Sequence, residues 1–322
     1  MHTRLIDGKC VVTEVEDGSE AKASGISRGC VVLGVDGLTV EQRVEAIRPL
    51  IHLYSSQQGF LEQACRRILD GERGTYVKVA FMNASGSRAT ASLQRAGSQR
   101  ENIIKPAFNV TKGPFIWYGL HPSGCGYIRI CSFDGRMEIA DAFDEALEQM
   151  KDTPGLIIDV RDNPGGFGTS QARIIGRFIT SKTHVSKDYV RNGPGHGDFQ
   201  ESDDYCVPAG NWQYTKPVAL LINATTGSAC DLFTCRFKST ARPIIIGTTT
   251  HGNLTGQGIY VQLPCNLVVR ISNGYVCDVT GRIIEGNGTE PQIRVEPAIK
   301  DIVNGTDPVI ERAVKECMKL RP

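Results

Sequence analysis

Val218–Asn253 reads VALLINATTGSACDLFTCRFKSTARPIIIGTTTHGN. The apolar run Val218–Asn223 predicts a buried strand, a turn of small residues carries Ser228, and a helix is expected over about Ala229–Ser239. A second strand is expected at Pro243–Gly247. A serine where a strand turns into a helix sits at the edge of a sheet. Its hydroxyl is exposed there, beside the unpaired first N–H groups of the helix. Those donors can stabilise negative charge on whatever the hydroxyl attacks. The same place suits an ordinary N-cap, the commoner use of serine at such a turn. Taken alone, the segment leaves both readings open.

The chain has 322 residues, room for two domains of ordinary size, and is 40% hydrophobic and 22% charged, a globular composition. A net charge of +1 gives no electrostatic footprint for nucleic acid. Apolar runs such as Val218–Ile222 are far too short to cross a bilayer, so no integral membrane segment is expected. The opening MHTRLIDGKC lacks the apolar core of a signal peptide. That points to a cytoplasmic protein, or to a sequence without its upstream part. Eleven cysteines include no CxxC pair and no Cys/His metal spacing, so no metal or other cofactor is expected. Their odd number leaves at least one thiol free if the rest pair. Six Asn-x-Ser/Thr sequons carry little weight, because Asn223 ends a predicted buried strand.

Residues 1–97 read as a small β-rich unit. Lys9–Val15 and Val31–Val35 are strand-like, and a short Ala-rich helix lies between them. Val40–Ile51 and Phe60–Leu69 have helical spacing. Tyr76–Met82 and Ser87–Leu93 flank a hairpin turn at 83–86. Residues 98–125 read as a linker or cap element. Residues 126–322 have an α/β pattern, with strands at Gly126–Cys131 and Leu156–Val160 and an amphipathic helix at Met137–Met150. Further helices are expected at Thr169–Ile179 and Asp307–Met318, and strand–turn–helix units of this kind predict a layered α/β core.

Within the first unit, Glu16-Asp17-Gly18-Ser19-Glu20-Ala21, Ala23-Ser24-Gly25-Ile26-Ser27-Arg28-Gly29 and Gly34-Val35-Asp36-Gly37-Leu38-Thr39-Val40 resemble a PDZ domain of the bacterial protease-associated kind. The resemblance covers about 90 residues, with an unusually long insert at 41–70. A PDZ groove binds an extended peptide by strand addition. By that resemblance the peptide-binding residues fall near Leu5, Gly8, Cys10 and Val11.

A second Gly-rich turn, Asp162-Asn163-Pro164-Gly165-Gly166-Phe167-Gly168, follows the strand at Leu156–Val160. Glycine lets bare backbone N–H groups approach a ligand. Side by side, this turn and Gly227-Ser228-Ala229 would form a nucleophile beside an oxyanion hole. Together with Gly126-Tyr127-Ile128-Arg129-Ile130, Ile246-Gly247-Thr248-Thr249-Thr250-His251-Gly252 and Gly286-Asn287-Gly288-Thr289-Glu290-Pro291, these segments resemble the tail-specific or C-terminal processing serine proteases and the related tricorn-core proteases. That family's core has the crotonase-like (ClpP-like) α/β fold. The resemblance implies Ser228 as nucleophile and the amides of Ala229 and of Gly165 or Gly166 as oxyanion donors.

The C-terminal processing branch activates its serine with a lysine in the segment Gly252-Asn253-Leu254, where this chain has Asn253. A neutral amide cannot accept the serine proton. The tricorn-like branch uses Ser–His–Glu, and its glutamate matches Glu285, which would orient an imidazole and stabilise its cation. That branch carries its histidine before the PDZ domain. His2 is expected just ahead of the first strand and His52 in the insert, with His121, His184 and His196 at the surface. His251, two positions before the lysine slot, is the candidate nearest Ser228. Three explanations stand: an upstream segment carries the base, His251 substitutes for it, or the chain is an inactive peptide-binding relative.

The leading expectation is a serine endopeptidase acting on protein or peptide substrates presented by the PDZ-like domain. A non-enzymatic peptide-binding module is the alternative. An acyl-CoA enzyme on the same core fold has no evident use for a PDZ-like unit. The resemblance favours an extracytoplasmic setting and leaves homo-oligomerisation open.

Overall fold

The computed structural model describes residues 1–51, 54–96, 102–256 and 258–319. His52 and the expected boundary at 97/98 lie outside the described residues. The chain forms two compact units, Met1–Ala107 with Val295–Val309, and Phe108–Arg294 with the stretch from Ile310 onwards.

The first unit is an antiparallel sheet with helices against it. Its strands are β1 (His2–Ile6), β2 (Lys9–Glu14), β3 (Val31–Val35), β4 (Leu38–Thr39), β5 (Tyr76–Met82) and β6 (Arg88–Gln94), in the order β1-β2-β3-β5-β6 with β4 on β3. Helix α1 (Glu20–Ala23) follows β2, and α2 (Val40–Ile47) and α3 (Gln57–Arg66) fill the insert. The insert helices start where side chains satisfy their orphan amides. Thr39 and Gln42 form a capping box, Gln42 N–H donating to Thr39 Oγ1 at 3.2 Å and Thr39 N–H to Gln42 Oε1 at 3.0 Å. Alternation along β2 divides its side chains between two faces. Cys10 and Val12 join Val32, Phe60, Ile68 and Phe81 in the main core, while Val11 packs with Ile6 and Val31 against Ile299 and Ile302 of the returning segment.

The second unit is built on a seven-stranded sheet. In chain order its strands are β7 (Thr111–Lys112), β8 (Ile116–Leu120), β9 (Gly126–Ile130) and β10 (Leu156–Asp159). Two more strands, β11 (Thr183–Arg191) and β12 (Phe199–Cys206), make a hairpin outside that sheet. Then follow β13 (Val218–Ile222), β14 (Pro243–Gly247), the separate hairpin β15 (Gly258–Gln262) and β16 (Val268–Ser272), β17 (Gly274–Cys277), which pairs with β11, and β18 (Ile293–Arg294). The main sheet runs β18-β14-β13-β10-β9-β8-β7, parallel from β18 to β9 and antiparallel at its β8 and β7 end. Helices α4 (Arg136–Gln149), α5 (Gln171–Gly176) and α6 (Ala229–Ser239) bury Phe143, Ile174, Ile175, Phe233 and Phe237 against the sheet. The expected α/β pattern is present in this unit as a mostly parallel sheet with helices packed on it. Among the described residues no helix is long and apolar enough to cross a membrane.

Several expectations change. Residues 111–120, read as linker, supply the edge strand β7 and its neighbour β8: Ile116 is buried and Ile116–Leu120 pairs along the whole of β9. The helix expected at 169–179 is limited to Gln171–Gly176. His184 lies inside β11 and His2 inside β1, rather than in loops or ahead of the sheet. The β11–β12 hairpin is polar on exposed faces, so it lacks the apolar alternation that marks a strand.

The ends of β9 and β10 are fixed by a buried ionic cluster. Asp159 accepts from Tyr127 Oη at 2.8 Å, Arg161 Nη2 at 2.7 Å, Arg161 Nε at 3.0 Å and Arg129 Nη1 at 3.3 Å. Arg129 Nη2 donates to Arg161 O at 2.7 Å. Burial pushes the Asp159 pKa up, but the two guanidiniums outweigh it and hold the carboxyl below its ordinary value. Removing one partner from such a cluster strands buried charge. Asp159→Ala is therefore expected to cost about 3–5 kcal/mol in urea denaturation, and Tyr127→Phe about 1 kcal/mol. Equal, small losses for both would show that the cluster does not hold the strand ends.

Candidate active site

Two turns leave the C-terminal edge of the parallel strands side by side. The first runs from Val160 to Gly166 after β10, the second from Asn223 to Ser228 after β13. Thr226 Oγ1 donates to Val160 O at 3.0 Å, and Gly227 N–H to Asn163 O at 3.0 Å. Asp162 Oδ1 accepts from Asn223 Nδ2 at 2.9 Å and Thr225 Oγ1 at 2.8 Å. These bonds hold the glycine turn against the serine turn. A Cβ built on Gly165 would lie 2.7 Å from Ser228 Cβ and 2.8 Å from Ala229 N, so only glycine permits this approach.

Ser228 has φ +54° and ψ −123°, a backbone state that costs a non-glycine residue about 1–3 kcal/mol. The surroundings impose it. Ser228 N–H donates to Asn253 Oδ1 at 2.6 Å and to Asp231 Oδ2 at 3.1 Å. Among the described residues no backbone N–H of α6 donates to the Ser228 hydroxyl as a cap. The cap runs the other way, from the Asp231 carboxylate back to the Ser228 amide. The N-cap reading of Ser228 is thus not the one the hydrogen bonds favour.

The donors expected for an oxyanion differ in availability. Gly165 N–H is already donated to Asn163 Oδ1 at 2.9 Å. Among the described residues no hydrogen bond takes the N–H of Gly166 or of Ala229, the first amide of α6. Gln171, fully buried, donates from Nε2 to Ala229 O at 2.6 Å and steadies that first turn.

His251 and Glu285 lie on two segments that pair with each other. His251 N–H donates to Thr226 O at 2.8 Å, and its ring is buried against the serine turn, with Nδ1 3.1 Å from a Cβ position on Gly227. Thr250 N–H donates to Thr289 O at 3.1 Å and Gly286 N–H to Gly252 O at 2.8 Å. Glu285 opens that facing turn. Its Oε2 is buried and makes no hydrogen bond among the described residues. Asn253 spends its Oδ1 on the Ser228 amide. Among the described residues no group of three His, Cys, Asp or Glu side chains converges to hold a metal ion.

Sequence reasoning passed over Asp231. Its carboxylate accepts from Gly252 N at 3.1 Å, Asn253 N at 3.1 Å and Ser228 N, and from the Thr250 hydroxyl. The pattern Ser228-x-x-Asp231 is a capping-box signature and was the available signal. Of the expected peptide-binding residues, Cys10 and Val11 are closed inside the first unit, at 1% and 0% exposure, because β2 is an inner strand with both faces covered. Leu5 is half-buried on the edge strand β1, and Gly8 is exposed at the β1–β2 turn.

A strained serine facing a glycine turn, with uncommitted amides beside it, is the arrangement of a serine hydrolase. The pattern of Peptidase family S41 matches residues 124–295, and the chain belongs to that family. The carboxy-terminal processing protease CtpA of Bacillus subtilis (strain 168) is 23% identical over 292 residues, covering 90% of this chain and 54% of that protein. A tricorn protease homologue of Streptomyces coelicolor is 25% identical over 335 residues, covering 98% of this chain and 25% of its own length. The chain spans about half the length of the curated relatives it matches. The structure of mature CPAF complexed with lactacystin has the same fold, with a TM-score of 0.77 at 16% identity over 99% of this chain and 82% of that one.

Burial raises the Asp231 pKa to about 7, against the lowering effect of its four donors. A raised folded-state pKa favours the protonated acid in the fold. This contribution to stability is full below the unfolded pKa, about 3.9, and is lost as pH rises through about 7. Urea titrations between pH 5 and 8 are expected to show wild-type stability falling with pH, by at most about 1.4 kcal/mol per unit from this group. Asp231→Asn is expected to flatten that slope. Parallel pH profiles for the two proteins would remove Asp231 as its source.

Proposed function

We propose that this chain is the catalytic part of a serine endopeptidase that cleaves protein or peptide substrates. The observation that carries the reading is Ser228, held in a strained conformation against Gly165 with its amide pinned and its hydroxyl unused as a cap. In this reading Ser228 Oγ attacks the scissile carbonyl, and the N–H groups of Ala229 and Gly166 receive the oxyanion. An imidazole takes the serine proton and passes it to the leaving amine, and water then repeats the sequence on the acyl-enzyme. His251 is the imidazole proposed for this role. Glu285, with its buried and unbonded Oε2, is proposed to orient the imidazole and stabilise its cation.

The first unit is proposed to be the PDZ-like peptide-binding module. Support comes from β1, an edge strand with α3 alongside. Its outward groups are occupied: Leu5 N–H donates to Glu62 Oε2 at 3.1 Å, and Thr3 O accepts from Asn102 Nδ2 at 3.2 Å. A substrate strand added there would displace both side chains. Leu5 is the one expected peptide-binding residue that remains on that edge.

A second reading is an inactive peptide-binding relative. It is favoured by Asn253, which fills the lysine slot with a group that cannot take a proton. A fluorophosphonate probe separates the two. The enzyme reading expects labelling that Ser228→Ala abolishes, peptide hydrolysis lowered at least about ten-thousand-fold by that change, and a loss of about a hundred- to ten-thousand-fold for His251→Ala or Glu285→Gln. Full activity in His251→Ala would assign the proton to another base. No labelling of the intact protein would establish the binding module.

A further inference from the structure

The two amides proposed to receive the oxyanion come from different turns. Gly166 lies in the glycine turn after β10, and Ala229 opens α6. Their spacing has to be set by groups that touch both segments. Phe133 holds the glycine turn from the β9 side: its N–H donates to Gly165 O at 2.7 Å, and its carbonyl accepts from Phe167 N–H at 2.8 Å. The chain then runs directly into α5, whose first residue is Gln171. Gln171 N–H donates back to Gly168 O at 3.3 Å.

The Gln171 side chain is fully buried and crosses from α5 to α6. Its Nε2 donates to Ala229 O at 2.6 Å, and its Oε1 accepts from Arg236 Nη1 at 3.5 Å. Both partners belong to α6, one at its first residue and the other about two turns further along. One partner needs a donor and the other an acceptor. A carboxamide supplies both without carrying charge. A carboxylate would set its oxygen against the Ala229 carbonyl, and a cationic side chain would face the guanidinium. Arg236 is held in turn from the β11–β12 hairpin. Its guanidinium pairs with Asp204, which also accepts from Ser186 Oγ at 3.4 Å, and half-buried Asp188 on β11 feels its charge. A cation at Oε1 polarises the carboxamide and strengthens donation from Nε2.

Given the reading of Ser228 as nucleophile, we propose that Gln171 is a positioning residue for the oxyanion amides. It fixes the distance between Gly166 N–H and Ala229 N–H, and Arg236 holds its carboxamide in place. Gln171 touches no reacting atom and acts through Ala229. A donor is effective only at about 2.7–3.1 Å from the place where the oxyanion forms. A displacement of about 1 Å costs about a hundred-fold in rate.

The rate of fluorophosphonate labelling per site tests this, because the phosphoryl oxygen calls on the same two amides as the oxyanion of a substrate. Gln171→Met keeps the volume and removes both polar contacts. It is expected to reach the wild-type labelling stoichiometry about ten- to a hundred-fold more slowly, with peptide kcat lowered by the same factor and KM within about two-fold. Arg236→Met is expected to slow labelling about three- to ten-fold by the same route. Arg173→Ala, which removes ion pairs to Asp141 and Asp144 from the same helix, is expected to match wild type. A Gln171→Met protein that labels at the wild-type rate overturns the inference. So does one with a lower final stoichiometry at an unchanged rate per labelled site, the signature of a side chain that only stabilises the fold. Should Gln171→Met not fold, Arg236→Met decides: slowed labelling supports the inference and a wild-type rate overturns it. A wild type that does not label at all removes Ser228 as nucleophile and this inference with it, an outcome distinct from a labelled wild type matched by its Gln171 variant.

Discussion

The Asp231 carboxylate accepts hydrogen bonds from the amides of Ser228, Gly252 and Asn253 and from the Thr250 hydroxyl, with almost no solvent access. That one group joins the start of α6 to the loop after β14. It therefore fixes Ser228, His251 on the same loop, and, through the pairing of Gly252 with Gly286, the turn that begins at Glu285. Residues from three distant parts of the sequence meet because a single buried acceptor requires their donors. A buried carboxylate without such donors would be strongly destabilising. The loop and the helix terminus thus stabilise the acid as much as the acid stabilises them.

A second constraint sits one layer below. The Asp159 cluster locks the ends of β9 and β10, and the chain leaves that cluster directly into Asp162 and the glycine turn. Asp162 then grips Asn223 and Thr225 in the neighbouring turn. Position at the site is passed along by hydrogen bonds between adjacent turns, not by loop flexibility. This explains how Ser228 is kept in a costly backbone state: the two turns are fixed independently, and the serine must bridge what is left.

The parallel core was legible because its strands are buried on both faces and its helices carry a clear apolar stripe, as at Leu156–Asp159 and Phe143–Leu147. The two Gly-rich turns were legible because glycine at a strand end has a conformational meaning that other residues lack. What escaped was set by long-range pairing. The β8 strand reads as linker until β9 is placed beside it, and the β11–β12 and β15–β16 hairpins lack the one-sided burial that produces a detectable alternation. Asp231 escaped for a related reason. An acid in the first turn of a helix reads as a surface charge, and only the returning loop at 250–253 makes it a buried one. Cys10 and Val11 are buried on an inner strand, which the sequence did not reveal because strand order in a sheet, unlike strand existence, is not written locally.

Asn253 shows how one side chain can set the geometry of a site. A lysine at this position would bring a titratable amine to the serine. The asparagine instead brings an acceptor, and the Ser228 amide uses it at 2.6 Å. That bond restrains the backbone of the proposed nucleophile while leaving its hydroxyl unengaged as a cap. The position therefore contributes geometry and no proton transfer. A site arranged this way has to draw its base from elsewhere, and Glu285 supplies a matching demand: a carboxylate oxygen buried without a hydrogen bond is stabilised most by a cationic donor. In the proposed mechanism the unbonded carboxylate oxygen at 285 would be met by an imidazolium on His251, a role that the neutral amide of Asn253 cannot fill.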